Sequence, residues 1–214
     1  MLVSLPSSVP DAFEKYINFF ENNEINFSIS GGYAVFRAGF CNCYTDVDIF
    51  IDDYNFNEKS FLELDSYIQV IPNEDYVNMN RFLKKRFGVT VIDSDGQTYT
   101  IDFVLMNFGE KIDNNYLFSE CVTAGFDIDI CRVSIIKVDE EYRLIFNSHF
   151  KVFIRNETQS YKNCYDEPII PMRMFKRFEK YESRLKPCYR LFYTNCAPSF
   201  DFDHLMKFRQ SNMD

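Results

Sequence analysis

Tryptophan is absent from the 214-residue chain and histidine is scarce, with two copies. His149 and His204 stand isolated, so a His-based nucleophilic triad is not supported. Positive charge is also in short supply. Lys plus Arg number 23 against 32 Asp plus Glu, which leaves a formal net charge of −9 and a pI near 4.8. A broad duplex-DNA-binding surface needs cations spread over a face to displace counterions, so that class is excluded and any nucleic-acid contact must be local. No apolar run reaches membrane-spanning length, and the opening "MLVSLPSSVPDAF" lacks both a basic region and an apolar stretch of signal length. The expectation is a soluble, unexported protein without a membrane partner. Cysteines are seven, an odd number, and they follow no ribbon or finger spacing, which points to a reducing cytoplasm. Cys41 and Cys43 make half a metal site at best, with no nearby Cys/His pair to complete it. Repeats and low-complexity blocks are missing too.

What the chain has in abundance is aromatic side chain, 24 Phe and 14 Tyr, enough to bury a substantial core at this length. Phe13, Tyr16, Ile17 and Phe20 recur at helical spacing and predict a helix over 11–23; "INFSIS" alternates as a strand that ends at Gly31. A short helix is expected from the glycines to Gly39, and "TDVDIFID" reads as a strand. Helices are predicted over 58–68 and 75–87, then a hairpin turning at Gly96 whose second strand is "TYTIDFVLM", then a strand over 127–136. "PMRMFKRFEKYESRLK", bounded by Pro171 and Pro187, predicts an amphipathic helix over 171–186. Strands and helices mix without strict alternation, so the expected class is α+β, a mixed sheet flanked by helices. A catalytic domain over 1–160 with a short helical C-terminal part over 161–214 is the expected division.

One constellation carries chemistry. "SISGGYAVFRAGFCNCYTDVDIFI" sets a double glycine thirteen residues ahead of Asp46 and Asp48, which flank Val47. On a strand, residues two apart share a face, roughly 6.5–7 Å apart at Cα. Two carboxylates on one face repel unless water or a cation lies between them, and Mg²⁺ is the natural cation for oxygen ligands beside phosphates. A strand, then Gly31-Gly32, then a helix start offers main-chain N–H groups to a phosphate at close approach, with the Ser30 hydroxyl beside them. Asp102, between Ile101 and Phe103, is an acid in an apolar strand and the best candidate for a third ligand of a two-metal site. Asp127 and Asp129 repeat the spacing without the double glycine and read as support or strand surface.

Ile29-Ser30-Gly31-Gly32 followed at this distance by Asp46-Val47-Asp48-Ile49 resembles the nucleotidyltransferase superfamily that shares the DNA polymerase beta-like catalytic fold. Its pattern is apolar-Gly-Gly/Ser, then Asp-apolar-Asp/Glu-apolar, and the intervening Ser30 is a departure. The likeness covers roughly residues 25–106. "FDIDICRVSI" with "RFEKYESRLK" is similar to the C-terminal part of viral and phage members, which implies an infected host's cytoplasm. The resemblance implies a nucleotidyltransferase-like fold and transfer of an NMP from an NTP such as ATP to a hydroxyl, with release of pyrophosphate. Asp46, Asp48 and Asp102 would bind Mg²⁺ or Mn²⁺ and be the catalytic residues. Gly31, Gly32 and Ser30 would hold phosphates, with Arg37 steadying one of them. The acceptor would be an RNA end, a protein or a small molecule. Two further readings stand beside this one: a toxin-type member of a toxin-antitoxin or defence pair, and a catalytically inactive binding module.

Cations placed to meet substrate are few. Arg81, Lys84, Lys85 and Arg86 read first as a solvated helix face and second as contacts to a triphosphate or RNA end; Lys176, Arg177, Lys180 and Arg184 read first as the charged side of an amphipathic helix and second as a rim over the site. Tyr161 and Tyr165 are candidates for stacking on a base or for packing.

Overall fold

The structure, a computed structural model, describes residues 2–4, 9–72, 82–126, 129–147, 153–154, 179–181, 183–187 and 189–190. Helix α1 (Asp11–Asn22) starts after Pro10 with Asp11 and Glu14 in its first turn, where acids complement the helix dipole. It buries the predicted stripe of Phe13, Tyr16, Ile17 and Phe20. That face packs on an aromatic core in which Phe61 and Phe103 lie 5.0 Å apart, centroid to centroid, and Tyr16 and Phe103 4.9 Å.

Eight strands form one sheet: β1 (Leu2–Ser4), β2 (Phe27–Ser30), β3 (Val47–Asp52), β4 (Gln69–Ile71), β5 (Leu83–Ile92), β6 (Thr98–Met106), β7 (Val133–Val138) and β8 (Glu141–Phe146). Their spatial order is β1-β8-β7-β2-β3-β6-β5-β4. β3 and β6 pair in parallel while the other neighbours are antiparallel, so the sheet is mixed and the α+β class is as expected. A separate ladder joins β9 (Phe153–Ile154) to β10 (Tyr189–Arg190). Alternation divides the sheet into two faces. Phe27, Ile29, Val47, Ile49, Ile51, Ile101, Phe103 and Leu105 enter the main core under α1 and α3 (Glu58–Leu64). On the opposite face Phe50, Val104 and Met106 pack with Phe118, Cys121 and Val122 of α4 (Asn115–Ala124). Towards the start of β3, that second face becomes polar.

Several elements depart from expectation. The helix predicted over 75–87 is replaced from Leu83 onward by β5, while 75–81 lie outside the described residues. Period two wins there because Phe87 and Val89 bury on alternate positions and the strand pairs along β6 as well as β4. The 58–68 helix stops at Leu64, where Asp65 takes extended geometry and accepts from the Tyr67 amide and the Tyr16 hydroxyl. The strand predicted over 127–136 begins only at Val133, after a 3-10 turn over Asp129–Cys131; Asp127 lies outside the described residues. α4, β4 and β8 were not anticipated. Of the 171–186 helix, residues 179–181, 183 and 184 are helical, whereas Leu185 forms a bridge with Cys41; Lys176 and Arg177 lie outside the described residues. Most of 161–214, including Tyr161, Tyr165 and His204, and also His149, lies outside them as well. Among the described residues no helix is long and apolar enough to cross a membrane.

Candidate metal centre

Main-chain register assembles the site. β3 and β6 run in parallel with Asp48 opposite Asp102, β2 sets Ser30 opposite Asp48, β7 sets Ser134 opposite Ser30, and β5 sets Gly88 opposite Asp102. Paired residues share a face, so Ser134, Ser30, Asp48, Asp102 and Gly88 form one polar row across five strands. Asp46 lies just ahead of β3 and joins the row from its end. One carboxylate oxygen from each of Asp46, Asp48 and Asp102 lies within 4.8 Å of the others, and among the described residues this is the group of acids, histidines or cysteines so gathered. All three are half-buried. Three oxygens converging at this distance fit a hard divalent cation such as Mg²⁺ or Mn²⁺.

The electrostatics match the crowding. Burial, followed by the charges of Asp46 and Asp102, pushes the Asp48 carboxyl up to about 7, against a pull in the other direction from Lys180 and Arg86. Asp46 Oδ1 accepts from the Thr45 hydroxyl at 2.7 Å, and that hydroxyl accepts in turn from Arg184 Nη2 at 3.4 Å. Asp102 Oδ2 is ion-paired with Arg86, two positions before Gly88 on β5, and the two side chains are only 13% and 15% exposed.

The glycines have separate reasons. Gly31 sits at φ +74°, and a Cβ there would fall on Asp48 Oδ2, so no other residue lets the chain turn so closely over that carboxylate. Gly32 opens the short helix α2 (Gly32–Arg37), and a Cβ on it would point into ordinary contact with the Tyr181 hydroxyl and Arg184 Nη1, at 3.8 and 3.9 Å. Tyr181 and Arg184 thus lie over the glycine turn. Their segment is fastened there by the Asn42 amide donating to the Arg184 carbonyl (2.8 Å), the Lys186 amide donating to the Phe40 carbonyl (2.9 Å) and buried Tyr181 and Leu185.

The predicted residues therefore divide. Asp46, Asp48 and Asp102 come together with Gly31 against them. Ser30 is in the row but fully buried, its hydroxyl 2.7 Å from that of Ser134. Arg37 turns to Tyr33, donating to its hydroxyl at 3.0 Å and lying over its ring. The basic run does not form a helix face: Lys84 pairs with Asp53, Lys85 with Glu58 and Arg86 with Asp102, and Arg81 lies outside the described residues. From the late helix, Lys180 and Arg184 do reach the site's surroundings, as their spacing allowed. Cys41 is buried and Cys43 exposed. The contribution of Thr45 and the pairing of Arg86 were missed; an acid in apolar β6 demanded a partner, but only β5's register identifies it.

No family model matches the chain, and no curated protein matches it.

Proposed function

We propose that the protein is a metal-dependent nucleotidyltransferase that moves an NMP from an NTP to a hydroxyl on an RNA end, a protein or a small molecule, releasing pyrophosphate. The observation that carries this reading is the parallel register of Asp48 with Asp102, with Asp46 adjoining and Gly31 folded against Asp48. Carboxylates gathered at such cost have a use when a divalent cation and anionic substrate share their site.

Asp46, Asp48 and Asp102 would hold Mg²⁺ or Mn²⁺. Such ions neutralise charge on a transferring phosphoryl group and lower the pKa of an attacking hydroxyl. Gly31 and Gly32 would offer main-chain amides to a polyphosphate from a buried turn flanked by Asp48, Tyr181 and Arg184. Arg184, beside Gly32, and Lys180, whose charge reaches Asp48, supply the opposite charge such a ligand needs. Catalysis would rest on position and charge neutralisation, without a covalent intermediate. The reading puts the protein in a cytoplasm, a host's or its own, where NTPs abound.

The test is Mg²⁺-dependent pyrophosphate release from each NTP in the presence of a cell extract. Asp46→Asn and Asp48→Asn should each lower it by about 100-fold or more. Turnover in both variants equal to that of the wild type would refute the assignment.

A further inference from the structure

Arg86 occupies a place that a metal-binding reading alone does not explain. Its guanidinium holds Asp102 Oδ2 within the same half-buried cluster that gathers the three carboxylates, and its charge reaches Asp48 as well. The other Asp102 oxygen lies toward Gly88, 3.7 Å from where a Cβ on that glycine would stand. Three carboxylates and one guanidinium sum to a formal −2 when all are ionised. One divalent cation neutralises that charge. A second would leave the cluster strongly positive, with Lys180 adding to the excess, unless an anionic ligand arrived with it.

We propose that Arg86 is a positioning residue that reserves the Asp102 carboxylate, so that the substrate-free protein binds a single divalent cation through Asp46 and Asp48 and admits a second only alongside an anionic substrate. The inference rests on the reading that these carboxylates bind divalent cations. Arg86 then acts as an internal stand-in for the second positive charge, keeping Asp102 charge-paired and oriented until a ligand's negative charge makes room for a true ion.

The experiment is titration of Mn²⁺ alone into the metal-stripped full chain, with free Mn²⁺ followed by electron paramagnetic resonance. The wild type is expected to bind one ion. Arg86→Gln, which raises the cluster's negative charge, should bind its first ion about tenfold tighter or more and take up a second. An unchanged count and affinity in a folded Arg86→Gln protein would overturn the proposal. Because that variant leaves Asp102 unpaired, the double variant Arg86→Gln/Asp102→Asn supplies a check that restores the charge balance. It should bind one ion within about threefold of wild-type affinity, whereas a loss of about tenfold or more would make Asp102 a ligand of the resting ion and overturn the proposal. If no form binds Mn²⁺, the metal-binding reading fails and the proposal falls with it; binding by the wild type with no response to Arg86 removes the proposal alone.

Discussion

Asp48 is the residue on which most of the site's electrostatics bear. Its carboxyl titrates near 7 in the metal-free fold, up from the usual 3.8, because it is buried beside two other acids. Between those values the folded chain binds more protons than the unfolded one, so Asp48's contribution to stability is fully present below about pH 4 and is lost as pH rises to about 7. In EDTA at pH 8, Asp48→Asn is therefore expected to melt above the wild type, by roughly 2–4 °C for each kcal/mol relieved, with the gap closing as pH falls toward 4. Thermal melts of both proteins across that range check the sign; a wild type that is the more stable at pH 8 would contradict it. Mg²⁺ competes with the same proton, so its stabilising effect on the wild type should grow from pH 5.5 to pH 8. Gly31 yields a second residue-scale expectation. Gly31→Ala meets both a positive φ and the Asp48 carboxylate, and should cost about 1–3 kcal/mol in chemical denaturation.

At the scale of elements, β5 decides how the site is built. Phe87 is fully buried against Phe61 and Phe56, at centroid distances of 5.4 and 5.9 Å, and Phe87→Ala is expected to cost about 3–5 kcal/mol. The same strand shows where sequence reading ran out. "RFLKKRF" has helical charge spacing and a period-two apolar pattern at once, and only pairing with β6 on one side and β4 on the other selects the second. With that strand misread as a helix, the Arg86 and Asp102 pairing was out of sight. Asp46, Asp48 and Asp102 were legible because acids beside apolar strand residues stand out locally. So was Gly31, although its reason, contact with the Asp48 carboxylate, needed β2 to be folded against β3. α4 went unnoticed: its stripe is short and its start relies on Asn114, whose side chain accepts from the Leu117 amide. The segment 179–187 makes its own prediction under the transferase reading. Arg184→Ala should raise KM for NTP about tenfold with a smaller change in kcat, since it removes a cation beside the glycine turn but none of the carboxylates. Steady-state kinetics check it, and a fall in kcat at constant KM would assign Arg184 another role.

Over the whole molecule, charge and topology pull in opposite directions. A chain of net −9 concentrates three of its acids at one point of the sheet, then surrounds them with Arg86, Lys180 and Arg184 drawn from distant parts of the sequence. The Arg-rich surroundings are local, consistent with a small anionic ligand and ill suited to a long duplex. The α+β sheet supplies the precision: parallel β3 and β6 fix Asp48 opposite Asp102, while two apolar clusters, one on each face, hold the strands in register. The central claim is that this centre transfers nucleotides. Its most direct test is to incubate the purified protein with each α-labelled NTP, Mg²⁺ or Mn²⁺ and a cell extract, then to separate RNA, protein and small molecules. Label on one of these fractions with the wild type, and none with Asp46→Asn or Asp48→Asn, is the predicted result; equal labelling by the variants, or none from any nucleotide with either metal, would contradict it.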